Sequence, residues 1–288
     1  MNHNILKSLL ATAIIVIFQI SACNSLRAQT DVDLDPEFGG RLSLQVDKKL
    51  AKGLHVSLEE EARIADNFSS FNRLQTTLGV SYKVLPYLKL GVGYALINGY
   101  DADSSAFKSA RHRLFFDVTG SYRFGDWQLS LRERVQMTHR TGDFNQYQNP
   151  ENLWGLKSRV KVVYKGFRRC EPYASVELRH VLNAPVINAV YSTTADVWGY
   201  YNASGTFTKK GDAGWFLEGF NGSYLNRVRG ALGIKYKIDK RSTLDACLLA
   251  DYCIDKVVDA NSEGTKLKSY TRETGFVGWI TAGYTYSF

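Results

Sequence analysis

Apolar and polar residues alternate along this chain in segments of about ten residues, and the segments recur about every twenty. A period of two sends successive side chains to opposite faces of an extended strand, so each segment has one greasy and one charged face. Past the N-terminal apolar run, which ends at Ile20, nothing reaches the roughly 18 to 20 apolar residues that a membrane-spanning helix needs. A chain of this pattern that crosses a bilayer must cross it with strands.

Eleven such segments are legible. Their apolar faces begin at Phe38, Leu54, Leu74, Leu88, Leu114, Trp127, Leu156, Ala174, Val228, Leu244 and Phe276. The third, for example, presents Leu74, Thr76, Leu78, Val80, Tyr82 and Val84 on one side. Connections alternate in length. Leu85-Pro86-Tyr87, Gly125-Asp126, Lys165-Gly166-Phe167 and Asp239-Lys240-Arg241 are tight, whereas 98–110, 139–152, 183–222 and 255–274 are long and polar. Membrane barrels have this asymmetry, with short turns at one rim and long loops at the other. Tyr82, Phe124, Trp127, Tyr164 and Tyr236 all fall beside the tight turns, where an interfacial aromatic girdle belongs. A soluble β-sandwich also alternates, but strand length, loop asymmetry and girdle together select the membrane form.

The expected fold is therefore all-β, a transmembrane antiparallel up-and-down β-barrel of about 12 strands. Twelve is preferred to eleven because antiparallel closure requires an even number, which leaves one strand to be found in 190–220 or near the N-terminus. Glu60 and Glu133 fall on lipid-facing positions, and a bulge or local register error is expected there.

Both ends of the chain point to the same address. Lys7, an apolar run from Ile5 to Ile20 and small residues after it have the layout of a secretory signal peptide over residues 1–28, which leaves 29–288 as the barrel domain. Leu26-Arg-Ala28 suits cleavage before Gln29, while Ile20-Ser-Ala-Cys23 resembles a lipobox with Cys23 as the lipidated residue. The final strand alternates aromatics at Tyr284, Tyr286 and Phe288 and resembles the signal by which the barrel-insertion machinery of Gram-negative outer membranes recognises its clients.

Composition is permissive: 44% hydrophobic and 13% aromatic residues with five prolines exclude a disordered chain and a small disulfide scaffold. Removing residues 1–28 takes two cations and no acid, leaving 34 basic against 28 acidic residues, a formal +6. No nucleic-acid motif accompanies that charge. Cys247 and Cys253 lie six residues apart on one strand, too far for a disulfide. Without Cys-x-x-Cys or clustered histidines, neither a metal nor another cofactor is expected. His55 would point inward, His112 would sit at a rim, and His139 would begin a loop.

The hairpins Gly39-Gly-Arg-Leu-Ser-Leu-Gln-Val-Asp-Lys-Lys-Leu50 and Leu54-His-Val-Ser-Leu-Glu-Glu-Glu-Ala-Arg63 resemble a known family, as do Glu171-Pro-Tyr-Ala-Ser-Val-Glu-Leu178 and Gly233-Ile-Lys-Tyr-Lys-Ile238. It is the domain of unknown function 2490 family, taken to be outer-membrane barrels. The resemblance implies a barrel in the outer membrane, surrounded by its lipid, and carries over no activity.

The opposite parity of the strands should line the lumen. It presents Arg111, Arg113, Arg123, Arg132, Arg134, Lys157, Arg159, Lys161, Arg179, Arg227, Arg229, Lys235 and Lys237, answered by Glu59, Glu61, Asp117, Glu177, Asp245 and Asp251. Enclosed charges must be paired or hydrated. Two readings follow: a salt-bridged interior that only holds the barrel's shape, or a small hydrated pore whose surplus cations favour anionic solutes. A third, enzymatic alternative is an outer-membrane lipid esterase or deacylase. If Tyr164 pairs with Ala174, Ser158 and His180 become direct cross-strand neighbours facing lipid, with Asn226 placed to orient the imidazole. The aromatic-rich segment 183–222 is expected to cap the barrel.

Overall fold

A computed structural model describes residues 30–102, 104–142, 144–201, 204–208 and 211–288. The expected signal segment 1–28, including Cys23 and Ala28, lies outside the described residues. Eleven long strands follow one another: β1 Glu37–Ala51, β2 Leu54–Ala65, β3 Ser70–Leu85, β4 Leu88–Asp101, β5 Arg111–Phe124, β6 Trp127–Arg140, β7 Asn152–Tyr164, β8 Cys170–Ile187, β9 Leu217–Lys237, β10 Ser242–Ala260 and β11 Leu267–Ser287. Each pairs antiparallel with its neighbours in sequence, and the described residues form no helix. Strand for strand, these are the eleven alternating segments.

The sheet closes without a twelfth strand. β1 and β11 pair in parallel, from Glu37 opposite Val277 to Asp47 opposite Ser287. With an odd number of up-and-down strands, the first and last run in the same direction, so a parallel seam is the only way to close. The short strand Thr30–Asp33 prolongs the seam against Thr271–Thr274. At the other end the Phe288 amide donates to the Asp47 carbonyl at 2.9 Å, which ties the terminal aromatic to β1. The residues expected to hide a twelfth strand instead form a small separate sheet, Val190–Ser192, Val197–Tyr201 and Phe207–Thr208.

The alternation sorts the two faces as the pleat requires. Leu42, Leu58, Leu232, Leu248 and Ile280 are each more than half exposed, while Arg41 and Asp251 keep only 5% and 2% of their surface accessible. This is the inverse of a water-soluble sandwich. A contiguous apolar exterior of this extent is stable only where the surrounding solvent is itself apolar. Near the tight turns Trp127 packs on Tyr164 with ring centroids 4.9 Å apart, Tyr164 on Phe167 at 5.1 Å and Tyr286 on Phe288 at 4.8 Å, which builds the girdle.

Two expectations about the long connections change. Much of 183–222 and 255–274 is strand, because β8, β9, β10 and β11 continue their hydrogen-bonded ladders beyond the alternating stretch. Lipid no longer demands one apolar face there, so the pattern that marks a membrane strand fades although pairing persists. The extensions carry a second hydrophobic core. Ile187, Ala189, Phe216, Val258, Leu267 and Tyr270 are buried together, with Tyr147, Trp198 and Trp215 packed against them. Asn145 and Gln148 of the β6–β7 loop donate to the Ala260 carbonyl, at 3.0 and 2.9 Å, and fasten that loop to the β10–β11 hairpin.

Glu60 and Glu133 are the other correction. No bulge relocates them, since the ladder passes Leu44–Glu60–Thr76 and Val118–Glu133–Ser158 without a shift. Each carboxylate stays on the outer face and accepts a neighbour's hydroxyl: Thr76 Oγ1 donates to Glu60 at 2.7 Å and Ser158 Oγ to Glu133 at 2.6 Å.

Candidate functional site

The barrel interior holds the densest array of ionisable side chains, and register explains which of them meet. One row runs Arg132, Arg159, Glu177, Arg229 and Asp251 across five adjacent strands; the next runs Asp117, Arg134, Lys157, Arg179 and Arg227. Long cationic side chains reach the acids in reach of their row. Arg229 grips Asp251 with both ends of its fork, at 2.6 and 2.7 Å, and Arg134 holds Asp117 at 2.6 Å through two nitrogens. Arg132 Nη2 donates to Glu177 at 2.8 Å. Such bidentate charged bonds are among the strongest polar contacts a protein makes.

Asp251 gathers two further arginines, Arg41 at 3.6 Å and Arg227 at 3.7 Å. The Arg41 guanidinium also lies over the Trp279 ring, 4.1 Å from its centroid, and Arg63 pairs with Glu61. Lys161 sits 3.4 Å above the Tyr173 ring, whose hydroxyl donates to Asp245 at 2.8 Å. Glu59 lines an internal cavity of about 320 Å³ together with Asp117, Arg113, Arg132, Arg134 and Arg159. A second cavity of about 430 Å³ shares Lys89, Thr119 and Arg159 with the first and opens among Lys83, Lys161, Lys165, Glu171 and Lys235 beside the tight turns. The two cavities meet at these shared residues, one at mid-barrel and one at that rim.

Sequence parity passed over Arg41, Arg63, Arg73 and Trp279 as lumen residues. The signal was available: Arg63 shares its face with Glu61, and Arg41 and Arg73 stand directly beside Arg63 in the ladder. Arg123 belongs to the rim, where its Nε donates to the Gly125 carbonyl at 3.1 Å. His55 accompanies Asp47 at 2.9 Å, and His112 accompanies the Tyr94 hydroxyl at 2.6 Å. His139 is the penultimate residue of β6 rather than the start of a loop.

The three residues considered for lipid hydrolysis do not come together. Ala174 pairs with Val162, not Tyr164, so Ser158 faces Leu178 while His180 faces Leu156. The observed hairpin brings the two strands into pairing two residues closer to the turn than a Tyr164–Ala174 pair would, and this slides His180 past Ser158. Ser158 is 7% exposed and spends its hydroxyl proton on Glu133. Asn226 occupies a bulge between the Arg179–Arg227 and His180–Leu225 pairs and donates to the Ile254 carbonyl and the Asp255 carboxylate. His180 Nδ1 has no hydrogen-bond partner among the described residues. Those residues also contain no cluster of three or more metal-ligating side chains, and Cys170, Cys247 and Cys253 are free thiols.

Comparison with solved structures returns barrels at low identity. The NanC porin is 13% identical over 80% of this chain and 92% of its own, with a TM-score of 0.40. A loop L8 deletion mutant of OmpT, an outer membrane protein of Vibrio cholerae, is 13% identical over 70% of this chain and 55% of its own, with a TM-score of 0.34. Outer-membrane-expressed OmpT from the same organism is 12% identical over 76% and 60%, with a TM-score of 0.32. These scores carry no functional argument, and the barrel stands on the chain's own ladder. No curated protein sequence matches the chain. A family model, described as protein of unknown function (DUF2490), matches residues 40–213, which is more than half of the chain. The chain belongs to the DUF2490 family.

Proposed function

We propose that this protein is a non-catalytic barrel of the Gram-negative outer membrane whose hydrated lumen favours the passage of anionic solutes. Its exterior would contact outer-membrane lipid, and the terminal strand with Tyr284, Tyr286 and Phe288 would present it to the barrel-insertion machinery. The observation that carries the reading is the pair of adjoining cavities at mid-barrel and at the tight-turn rim, lined by Arg113, Arg132, Arg159, Lys161 and Lys235, in which cations outnumber carboxylates. Fixed charge of one sign in a narrow water-filled passage enriches the opposite ion and excludes its own. The outward Glu60 and Glu133 are the reverse case, single charges in an apolar surround, each tied down by one hydroxyl.

Planar-bilayer recording of the reconstituted protein tests this. Discrete conductance steps are expected, with a reversal potential in a salt gradient that reports preference for chloride over potassium. Membranes without steps would favour a closed, structural barrel, and preference for potassium would reject the anion reading.

A further inference from the structure

Not all interior cations are answered by acids. Arg73 on β3, Arg111 and Arg113 on β5, Lys157 on β7 and Arg179 on β8 make no ion pair with any carboxylate among the described residues. They are neighbours nonetheless. Arg73 stands opposite Gly99 in the ladder, and the Arg111 guanidinium lies over that same glycine, 3.9 Å from where a Cβ would sit. Lys157 and Arg179 are direct cross-strand partners on the lumen face, and Arg111 and Arg113, three strands away around the wall, lie close enough for their charges to be felt by Arg179. The Nε atoms of Arg73 and Arg179 are buried and have no hydrogen-bond acceptor among the described residues. The acids whose charge reaches these groups are already engaged, Glu61 with Arg63, Glu177 with Arg132, and Asp255, which faces Arg179, with the Asn226 amide.

Like charges brought together away from bulk water, with donors unfilled, are costly unless something supplies the missing negative charge. A single chloride does so poorly. Guanidinium forks match the paired oxygens of carboxylates and phosphates, and several forks converging on one space match a solute with more than one anionic group. We infer that Arg73, Arg111, Arg113, Lys157 and Arg179 form a binding site for a multivalent oxyanion, an organic solute bearing two or more carboxylate or phosphate groups. The inference rests on the hydrated-lumen reading above and names the class of solute that lumen takes.

The test uses the full protein, folded in detergent for calorimetry and reconstituted for single-channel recording, with citrate and pyrophosphate as probes and acetate and chloride as controls. Citrate or pyrophosphate should bind, and interrupt the current, at a concentration about tenfold or more below that of acetate. Stronger binding of one of the two identifies the tricarboxylate or the phosphate chemistry. The Arg111→Gln, Arg179→Gln double variant should lose that margin about tenfold, with folding checked by its heat-modifiable electrophoretic mobility. The valency comparison on the unaltered protein needs no variant and stands if the variant does not fold. Anion-selective steps that citrate and pyrophosphate block no better than acetate overturn the site and leave the pore reading intact. Tight binding of either probe to a barrel that passes no current supports the site and removes the pore.

Discussion

The lumen contains two kinds of charge, and their contrast separates what holds this barrel together from what it can hold. Around Asp251, three arginines share one carboxylate that is 2% exposed, and the neighbouring Arg134–Asp117 and Arg132–Glu177 pairs extend the same arrangement. Around Arg111 and Arg179, cations of the same chemistry gather with no carboxylate in ion-pair contact among the described residues, Asp255 and Glu177 acting on them only from a distance. Pairing lowers the cost of burial and fixes the side chains, so the first group is a brace. The second stores repulsion that a bound anion would relieve. The two groups differ in their partners, because both face the same enclosed space.

The largest expected effect breaks the brace. Asp251→Asn keeps the shape of the side chain but leaves Arg41, Arg227 and Arg229 without their shared charge, and should destabilise the folded barrel by about 3 kcal/mol. Guanidinium-driven unfolding from micelles, followed by tryptophan fluorescence, measures it. The Arg111→Gln, Arg179→Gln double variant, assayed in parallel, should keep its stability or gain about 1 kcal/mol, since it removes charges that have no partner. Equal losses in the two proteins would erase the distinction between brace and site.

A smaller effect is expected on the outer face, where charge is surrounded by apolar side chains rather than by other charges. Ser158→Ala takes away the hydroxyl that Glu133 accepts from and should cost about 1 kcal/mol. Combined with Glu133→Leu the loss should vanish, because neither partner is then left without the other. The double-mutant cycle reads this coupling directly. A lipid-release assay on the same proteins should register no hydrolysis in parent or variant, and release that depends on Ser158 would reinstate the enzymatic reading.

The barrel was legible in the sequence because lipid imposes a rule on every strand it touches. Leu42, Leu78, Leu232 and Ile280 obey it, and all eleven strands follow. Where lipid stops, the rule stops, and the upper parts of β8 to β11 read as loops although β8 and β9 stay paired to Ile187 and Leu217, and β10 and β11 to Ala260 and Leu267. The parallel seam escaped because it is a property of the count, not of any residue. Parity made the lumen legible as a partial list of charges, without Arg41, Arg63 and Arg73 and with Arg123 of the rim included, and the partners were not legible at all. Which acid meets which arginine depends on register, and a slip of two residues from the Tyr164–Ala174 pairing was enough to separate Ser158 from His180. Asn226 was misplaced by a single bulge that no local residue announces.

The smallest effect lies at the tight-turn rim and isolates burial as the variable in the comparison. Asp239 resembles Asp251 in accepting charged or polarised donors, but its donors are the backbone amides of Arg241 at 2.6 Å and Ser242 at 2.8 Å, and its side chain is in water. Those amides hold its carboxyl below the ordinary aspartate value, with the Ser242 hydroxyl and the Arg241 charge adding less. A carboxyl depressed by folding contributes stability that is fully present at neutral pH and is lost as pH falls through the region below about 3.9. Asp239→Asn keeps an acceptor oxygen without the charge, so its stability should not fall with acid over that interval for this reason. The lumen carboxylates titrate in both proteins, and the difference between parent and variant thermal unfolding from pH 7 to pH 3, roughly spanning the carboxylate range, cancels them. Parent and variant should converge as the acid protonates Asp239. Curves that stay parallel throughout would mean that the turn is held by its backbone alone, through contacts such as the Ser287 amide on the Arg241 carbonyl at 2.8 Å, and that charge counts in this barrel only where it is enclosed.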